Sequence, residues 1–530
     1  MTTTVDAVVI GAGPNGLVAA NAVAEAGWDV LVLEANEEVG GAVRSAEVTA
    51  PGFVSDLFSA FYPLAAASPV MRDLDLHRHG LEWVRAPDVL AHSLEHGGTA
   101  VLHHDPERTA AGLEEFAVGD GDAWLSLHRQ WLRVRDPLLD ALFTPFPPLG
   151  PGSRLLRELG ARGTLDLTRL GLSPVRRLGQ ELFEGDGGPL LLTGNAMHSD
   201  LPPDAGGSAL FGWLLAMLGQ DVGFPVPRGG SGRLAEALRR RAESVGAQVR
   251  TGARVASVVL SGVRAVGVRC ADGSAVRARR AVLADVDAPS LYEKLVGTSA
   301  LPGRLRADLR DSFQWDHATV KLNWALERPV PWTDERAAGA GTVHLGVDLD
   351  GFVDFAADLS LARVPERPFM LLGQMTTADP TRSPAGTESA WAYTHVPREI
   401  DWQGDVLARH VERMEDAVER VAPGFRDAVV ARHVQAPGDL EGADSNLVGG
   451  SINQGTAMLH QQLVFRPTPG LGRPETPFER LYLAGASAHP GGGVHGACGW
   501  NAARVALRAA GPSGAARRAL ARTAWSRVLR

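Results

Sequence analysis

Three glycines, Gly11, Gly13 and Gly16, stand in the spacing G-x-G-x-x-G directly after an apolar, valine-rich run from Ala7 to Ile10. A short continuous run of that composition reads as a buried parallel strand. Leu17 to Ala26 reads as a helix with Gly27 as its C-cap, and a second apolar run, Val30 to Leu33, ends on Glu34. The whole pattern predicts a β–α–β unit that holds a dinucleotide. Gly11 permits the tight turn from strand to helix. At Gly13 no Cβ stands between the backbone N–H groups and a pyrophosphate, and Gly16 lets the helix pack close on the strand. The positive end of the helix then faces the phosphates. Glu34, at the tip of the second strand, can accept both hydroxyls of an adenosine ribose, which favours FAD or NAD over NADP. Pro14 and Asn15 at the helix start, and Ala35 after the acid, join the candidate cofactor residues.

Two further glycine clusters extend this cradle. Gly40 and Gly41 suit a second close backbone approach, and Arg44 can pair with a phosphate or hold the loop. Near the other end of the chain, Leu481 to Ala484 reads as a strand ended by Gly485, followed by Gly491, Gly492 and Gly493. Those three glycines let backbone lie against a flat ring. The helix that starts over Val494 to Ala497 turns its positive end toward a reduced, anionic flavin. His489 and His495 sit in the turns here and read as structural or solvated.

Between the clusters the pattern changes several times. Residues 1–71 form a first cofactor segment. Residues 72–224 read as an inserted substrate domain, with an apolar loop at Pro137 to Gly150 and a buried helix at Ala209 to Leu218. Residues 225–290 return to the cofactor domain through a glycine-rich turn at Pro227 to Arg233 and a β-meander containing Val255, a further candidate contact. Residues 291–440 are a second substrate segment. Within it Val320, Leu322, Trp324 and Leu326 alternate with Thr319, Lys321 and Asn323, which predicts a strand with one cation on it. Asp379 to Gly386 reads as a turn, and Asp405 to Ala422 as a surface helix. Residues 441–512 complete the cofactor domain. A basic tail, 513–530, carries five arginines among apolar residues, a pattern that can lie on anionic lipid or stay solvated.

Composition excludes several classes. A formal charge of −9 argues against nucleic acid as a partner. The two cysteines, Cys270 and Cys498, cannot make a C-x-x-C pair, so dithiol chemistry is not expected. No metal site is expected. No apolar run is long enough to span a bilayer, and no signal or transit segment fits the N-terminus, so a cytoplasmic protein is expected, with a membrane surface as a candidate partner.

The motifs V-V-I-G-A-G-P-N-G-L with Glu34, Gly40-Gly41 and Arg44, and L-Y-L-A-G-A-S-A-H-P-G-G-G-V-H-G, resemble the carotenoid/retinoid oxidoreductase family of phytoene desaturases, carotenoid isomerases and retinol saturases. Within it the chain looks closest to the pyridine nucleotide-disulfide oxidoreductase domain-containing protein 2 branch. The resemblance implies an α/β fold: a glutathione-reductase-like, FAD-binding Rossmann domain built from discontinuous segments, with an inserted mixed-sheet and helical substrate domain. It implies noncovalent FAD and hydride transfer between flavin N5 and a C–H or C=C of a small apolar substrate, isoprenoid or lipid-like. Only one dinucleotide fingerprint is present, so quinone or oxygen is the expected electron acceptor. The stretch T-V-K-L-N-W-A-L-E-R-P also resembles the strand of flavin amine oxidases that carries a lysine near N5, which makes Lys321 the catalytic candidate and an amine oxidase the alternative. A non-catalytic escort protein on the same fold, like the GDP-dissociation inhibitors, is the second alternative. Gln454 stands where related sequences often carry a histidine, which weakens an acid–base role there.

Overall fold

The structure is a computed structural model that describes residues 3–96, 98–512 and 514. The basic tail, Gly514 apart, lies outside the described residues. β1 (Thr3–Ile10), α1 (Pro14–Glu25) and β2 (Val30–Leu33) form the unit that the glycine spacing predicts. The two strands run parallel, with Ala7 beside Val30 and Ile10 beside Leu33. Pro14 opens α1, a position where its missing N–H costs nothing.

Two strands, β3 (Asp88–Ser93) and β4 (Thr99–Leu102), lead into a helical block. Its main members are α2 (Asp120–Phe143), α3 (Leu149–Leu172), α4 (Gly187–His198) and α5 (Ser208–Val222). Then come α6 (Gly232–Ser244), β5 (Gln248–Arg250) and the meander β6 (Val255–Ser261), β7 (Arg264–Cys270) and β8 (Ala275–Ala284). The next block holds β9 (Ala318–Leu326), β10 (Ala340–Leu345), β11 (Met370–Gln374), β12 (Glu388–Val396), α7 (Gly404–Val421) and β13 (Val429–Gln435). β14 (Leu481–Leu483) and α8 (Ala497–Ala510) come last.

These elements make two seven-stranded sheets. The first has the order β6–β7–β8–β1–β2–β5, with β14 also paired on β8. β8 is long enough to serve three neighbours. Its first half pairs with β7, its second half pairs in parallel with β14, and its other edge carries β1. α1 is buried from Gly16 to Ala24 because α6 and α8 both pack on it. The second sheet has the order β13–β9–β12–β11–β10–β3–β4. One face of β9, with Val320, Leu322 and Trp324, packs on Met414 and Val418 of α7. The other face carries Thr319, Lys321 and Asn323, also buried, because β9 is an inner strand.

Two sequence expectations change, and one gains a buried core. The apolar loop expected from Pro137 to Gly150 shrinks to 144–148, since α2 runs through Pro137 to Phe143. Its stripe of Trp124, Leu127, Trp131 and Val134 is buried at helical spacing, and that packing outweighs one missing N–H. The turn expected from Asp379 to Gly386 is present, and although Pro384 to Gly386 are exposed, Asp379 and Arg382 are wholly buried in an ion network. The core of the cofactor side also continues past the boundaries drawn at 71 and 290. Leu74, Leu76 and Leu81 share the core of α1, and Leu291, Leu305 and Leu309 share the core of β8.

Candidate functional site

The parallel strands β14, β8, β1, β2 and β5 end on one side, and a cleft of about 1500 Å³, open mouth included, lies along those ends. This is where an open α/β sheet binds its ligands. Gly11, Gly13, Pro14 and Asn15 line it at the turn into α1. Glu34 and Ala35 line it at the tip of β2, with Val255 of the meander close by. Gly41 lines it from the next turn, and Gly492, Gly493 and Val494 from the loop before α8. Segments far apart in the chain thus meet in one groove.

The groove is shaped by absent side chains. Gly11 has a φ of +90°, and a Cβ there would stand 2.8 Å from the Asp285 carbonyl oxygen. A Cβ on Gly13 would stand 2.8 Å from Asp285 Oδ2, and one on Gly492 2.7 Å from Asn453 Oδ1. Glu34 is 6% exposed. Its Oε2 accepts the Ala12 N–H at 2.7 Å and its Oε1 the Asn36 N–H at 2.9 Å. Both oxygens keep a lone pair, so the carboxylate is held rigid with room for two hydroxyl donors. A cradle that a Cβ would fill, a helix N-terminus and a fixed carboxylate together fit the pyrophosphate and ribose of FAD.

Five candidates do not line the cleft. Gly16 donates its N–H to Asp285 Oδ2 at 2.7 Å, and a Cβ on it would meet the Gly11 carbonyl oxygen at 2.2 Å, so it serves helix–strand packing. Gly40 closes a turn in which a Cβ would lie 2.4 Å from the Val43 carbonyl oxygen. Arg44 donates to the carbonyls of Gly41 (3.0 Å) and Ala443 (2.7 Å) and stacks on Phe58, so it holds the loop. Gly485 lets β14 pass within contact of Val286. Lys321 is 3% exposed. Its Nζ donates to the carbonyls of Asp56 at 2.6 Å and Phe58 at 2.7 Å and lies 4.9 Å from the Trp391 ring centre. Burial pulls its ammonium down to about 7. In this geometry Lys321 fastens the 56–58 segment to the second sheet.

His495 is structural: its Nε2 lies 3.1 Å from the Gly491 carbonyl oxygen, and its Nδ1 accepts the Ala497 N–H. Burial brings both His489 and His495 down to about 4, so both rings are neutral. Cys270 and Cys498 are unpaired and buried, and burial pushes the Cys498 thiol up to about 12. Among the described residues no cluster of histidine, cysteine and acids is set to hold a metal ion.

Asp285 and Asp444 are the buried acids of the cleft that the sequence reading missed, and Asp285 is the more telling. It directly follows the buried strand Ala281–Ala284, and the residue after such a strand is the one that faces a ligand. Burial, with the Asp444 and Glu34 carboxylates adding to it, pushes its carboxyl up to about 7 against the pull of the Gly16 N–H. The native apoprotein therefore binds a proton here that the unfolded chain, at 3.8, does not. That contribution to stability is complete below about pH 4 and is lost as the pH rises through about 7. The difference in urea midpoint between the parent apoprotein and Asp285→Asn is therefore expected to shift steadily against the parent as the pH rises from about 4 to 7 and to level off above that. Glu388 and Lys321, which burial also brings to about 7, are common to both proteins, so the difference isolates Asp285. Identical slopes would contradict this assignment.

A doubly anchored glycine cradle at the strand ends of a discontinuous Rossmann sheet, with a second mixed sheet beside it, defines an FAD-dependent oxidoreductase of glutathione-reductase-like architecture. The chain belongs to the flavin containing amine oxidoreductase family, whose sequence pattern matches residues 15–507. Its relatives place it on the phytoene desaturase-like branch. It is 30% identical over 95% of its length to mouse (Mus musculus) pyridine nucleotide-disulfide oxidoreductase domain-containing protein 2, of which it covers 93%. It is 26% identical to a limonene dehydrogenase chain of Castellaniella defragrans, with 94% of each chain covered. It is 28% identical to the zeta-carotene-forming phytoene desaturase of Myxococcus xanthus, over 92% of this chain and 90% of that one.

Proposed function

We propose that this oxidoreductase dehydrogenates, or in reverse saturates, a carbon–carbon bond of an apolar substrate of the isoprenoid or lipid class. The observation that carries the reading is the apolar surround of the C-terminal glycine loop. Leu64 reaches 2.6 Å from where a Cβ on Gly493 would be. Phe143 lies with its ring 5.2 Å from His495, and Phe146 6.3 Å from His489, both of them neutral imidazoles. Two full-length relatives are named for limonene and phytoene, both hydrocarbons, which supports the same class.

Bound FAD supplies the two-electron acceptor. The protein's part is positional: the glycine loop leaves room for a flat ring, and the aromatic residues around it exclude water and align a substrate carbon. Quinone or oxygen is the electron acceptor in this reading. A membrane surface, where such substrates dissolve, is its setting. In support, α3 exposes Leu149, Leu156, Leu165 and Leu172 among four arginines, and no described helix is long and apolar enough to cross a bilayer.

The test is an anaerobic visible spectrum of the purified flavoprotein before and after a total lipid extract is added. Bleaching of the flavin bands by the apolar fraction is the expected result. Bands that ignore the extract but bleach with simple amines, with hydrogen peroxide released in air, would replace this reading with the amine oxidase one.

A further inference from the structure

We infer that Arg466 is the fixed cation that sets the reduction potential of the bound flavin. Its side chain is buried, at 1% exposure, and among the described residues no carboxylate forms an ion pair with it. A buried charge without a counter-charge is rare, because desolvation opposes it strongly. Here every guanidinium nitrogen is spent on backbone carbonyls. Nε donates to Ala486 at 3.1 Å, Nη1 to Thr456 at 2.9 Å, and Nη2 to Ala486 at 2.7 Å and Asn453 at 2.9 Å, with longer contacts to Gly455. Carbonyl dipoles solvate the charge but do not cancel it.

One buried carboxylate, Asp316, acts on Arg466 from across the 451–456 loop without pairing with it. Asp316 accepts from the Ser451 hydroxyl and from the N–H groups of Ile452, Asn453 and Gly455. The 451–456 loop is therefore held between an anion that takes its N–H groups and a cation that takes its carbonyls. The cation lies on the cleft side of this arrangement. A Cβ on Gly491 would stand 3.4 Å from Arg466 Cζ, and Gly491, Ala486 and Gln454 all line the cleft. One layer of backbone separates the guanidinium from the groove.

Asp316 offsets part of its field from across the loop, and no other ionised group touches it among the described residues. His489 and His495 are neutral, and the Arg466 charge itself helps to keep them so. The Cys498 thiol is protonated. In a water-excluded site such a field acts strongly on any charge that develops nearby, and it adds to the positive end of α8. A reduced flavin gains negative charge on its ring, so a fixed cation favours the reduced form. The inference rests on the FAD cleft and not on the identity of the substrate.

The clamp on the 451–456 loop is the competing, purely structural role, and two variants separate them. Arg466→Lys keeps the charge and loses most of the carbonyl contacts, whereas Arg466→Met loses both. Potentials of the FAD-loaded proteins are measured by dye equilibration without oxygen. Arg466→Met is expected to lower the two-electron reduction equilibrium constant at least tenfold, about 30 mV, while Arg466→Lys stays within about threefold of the parent. Equal potentials for Arg466→Met and the parent, or equal losses for both variants, would overturn the inference.

If Arg466→Met does not fold, the unmodified holoprotein still gives a result that can overturn the inference, and Arg466→Lys with an unchanged slope supports it. Between about pH 5 and 6 free reduced flavin carries its second proton, and its two-electron potential moves about 60 mV per pH unit. A cation that keeps the bound reduced ring deprotonated halves that slope to about 30 mV. A slope of about 60 mV in the parent protein would overturn the inference as well.

Discussion

Gly13→Val is expected to fold and to lose its flavin, with the FAD dissociation constant rising at least about 100-fold, roughly 3 kcal/mol. Gly13 lines the cleft at the turn into α1. The atom that a new Cβ would crowd, at 2.8 Å, is the carboxylate oxygen of Asp285 that accepts the Gly16 N–H, the end of a side chain and not backbone. The backbone therefore survives, and the valine methyls take the space of the pyrophosphate and cover the N–H groups that would hold it. The contrast is Gly16→Val. There the new Cβ would stand 2.2 Å from a backbone carbonyl, so that variant should fail to fold rather than merely fail to bind. Flavin absorbance of the purified variant, an FAD titration of its apoprotein and a circular dichroism spectrum separate these outcomes. A Gly13→Val protein with full flavin occupancy would remove the cleft from consideration as the FAD site.

The second large effect concerns the joint between the two sheets. Arg382, Asp56 and Asp379 have wholly buried side chains. Arg382 Nη2 lies 2.5 Å from Asp56 Oδ2, and its Nε 3.3 Å from Asp379 Oδ2. Asp56 Oδ1 also accepts from the Ser231 N–H and the Ser45 hydroxyl, and Asp379 Oδ2 accepts the Gly229 N–H at 2.6 Å. One guanidinium thus ties the glycine turn before α6 and the 45–56 segment to the chain between β11 and β12. Arg382→Met would leave two carboxylates buried without their cation. Breaking a buried pair in this way typically costs about 3–5 kcal/mol. The expected result is a clearly lower urea midpoint and a lower melting temperature, in apoprotein and holoprotein alike. An unchanged midpoint would mean that packing alone holds the joint.

What could be read in the residues beforehand follows the range of the forces involved. The unit from β1 to β2 was legible because its glycines, its valine run and Glu34 act within a few turns of one another. The loop from Gly485 to Val494 was legible for the same reason. Asp285 was not, since its role comes from β8 lying between β1 and β14, a fact of topology that no local spacing encodes. The turn at Asp379 to Gly386 was legible from its prolines and aspartate, but the burial of Asp379 and Arg382 was not, since the segments that cover them are distant in the chain. Arg466 gave no local sign, as its partners are carbonyls and any residue can supply those. Lys321 was found as a lone cation on a strand, yet its hydrogen bonds run to a segment more than two hundred residues away.

The strand order of the first sheet also sets a timetable for synthesis. β1 and α1 leave the ribosome first, but the helix that closes over α1 and the strand that completes β8 are made last. α6 is made midway and covers part of α1, but the remaining apolar face stays open until α8 follows, and in that interval the growing chain has apolar surface to shield from aggregation. The final docking step is also the one that completes the groove, so capture of flavin drives it by mass action. Bound flavin is thus part of what holds the two ends of the chain together.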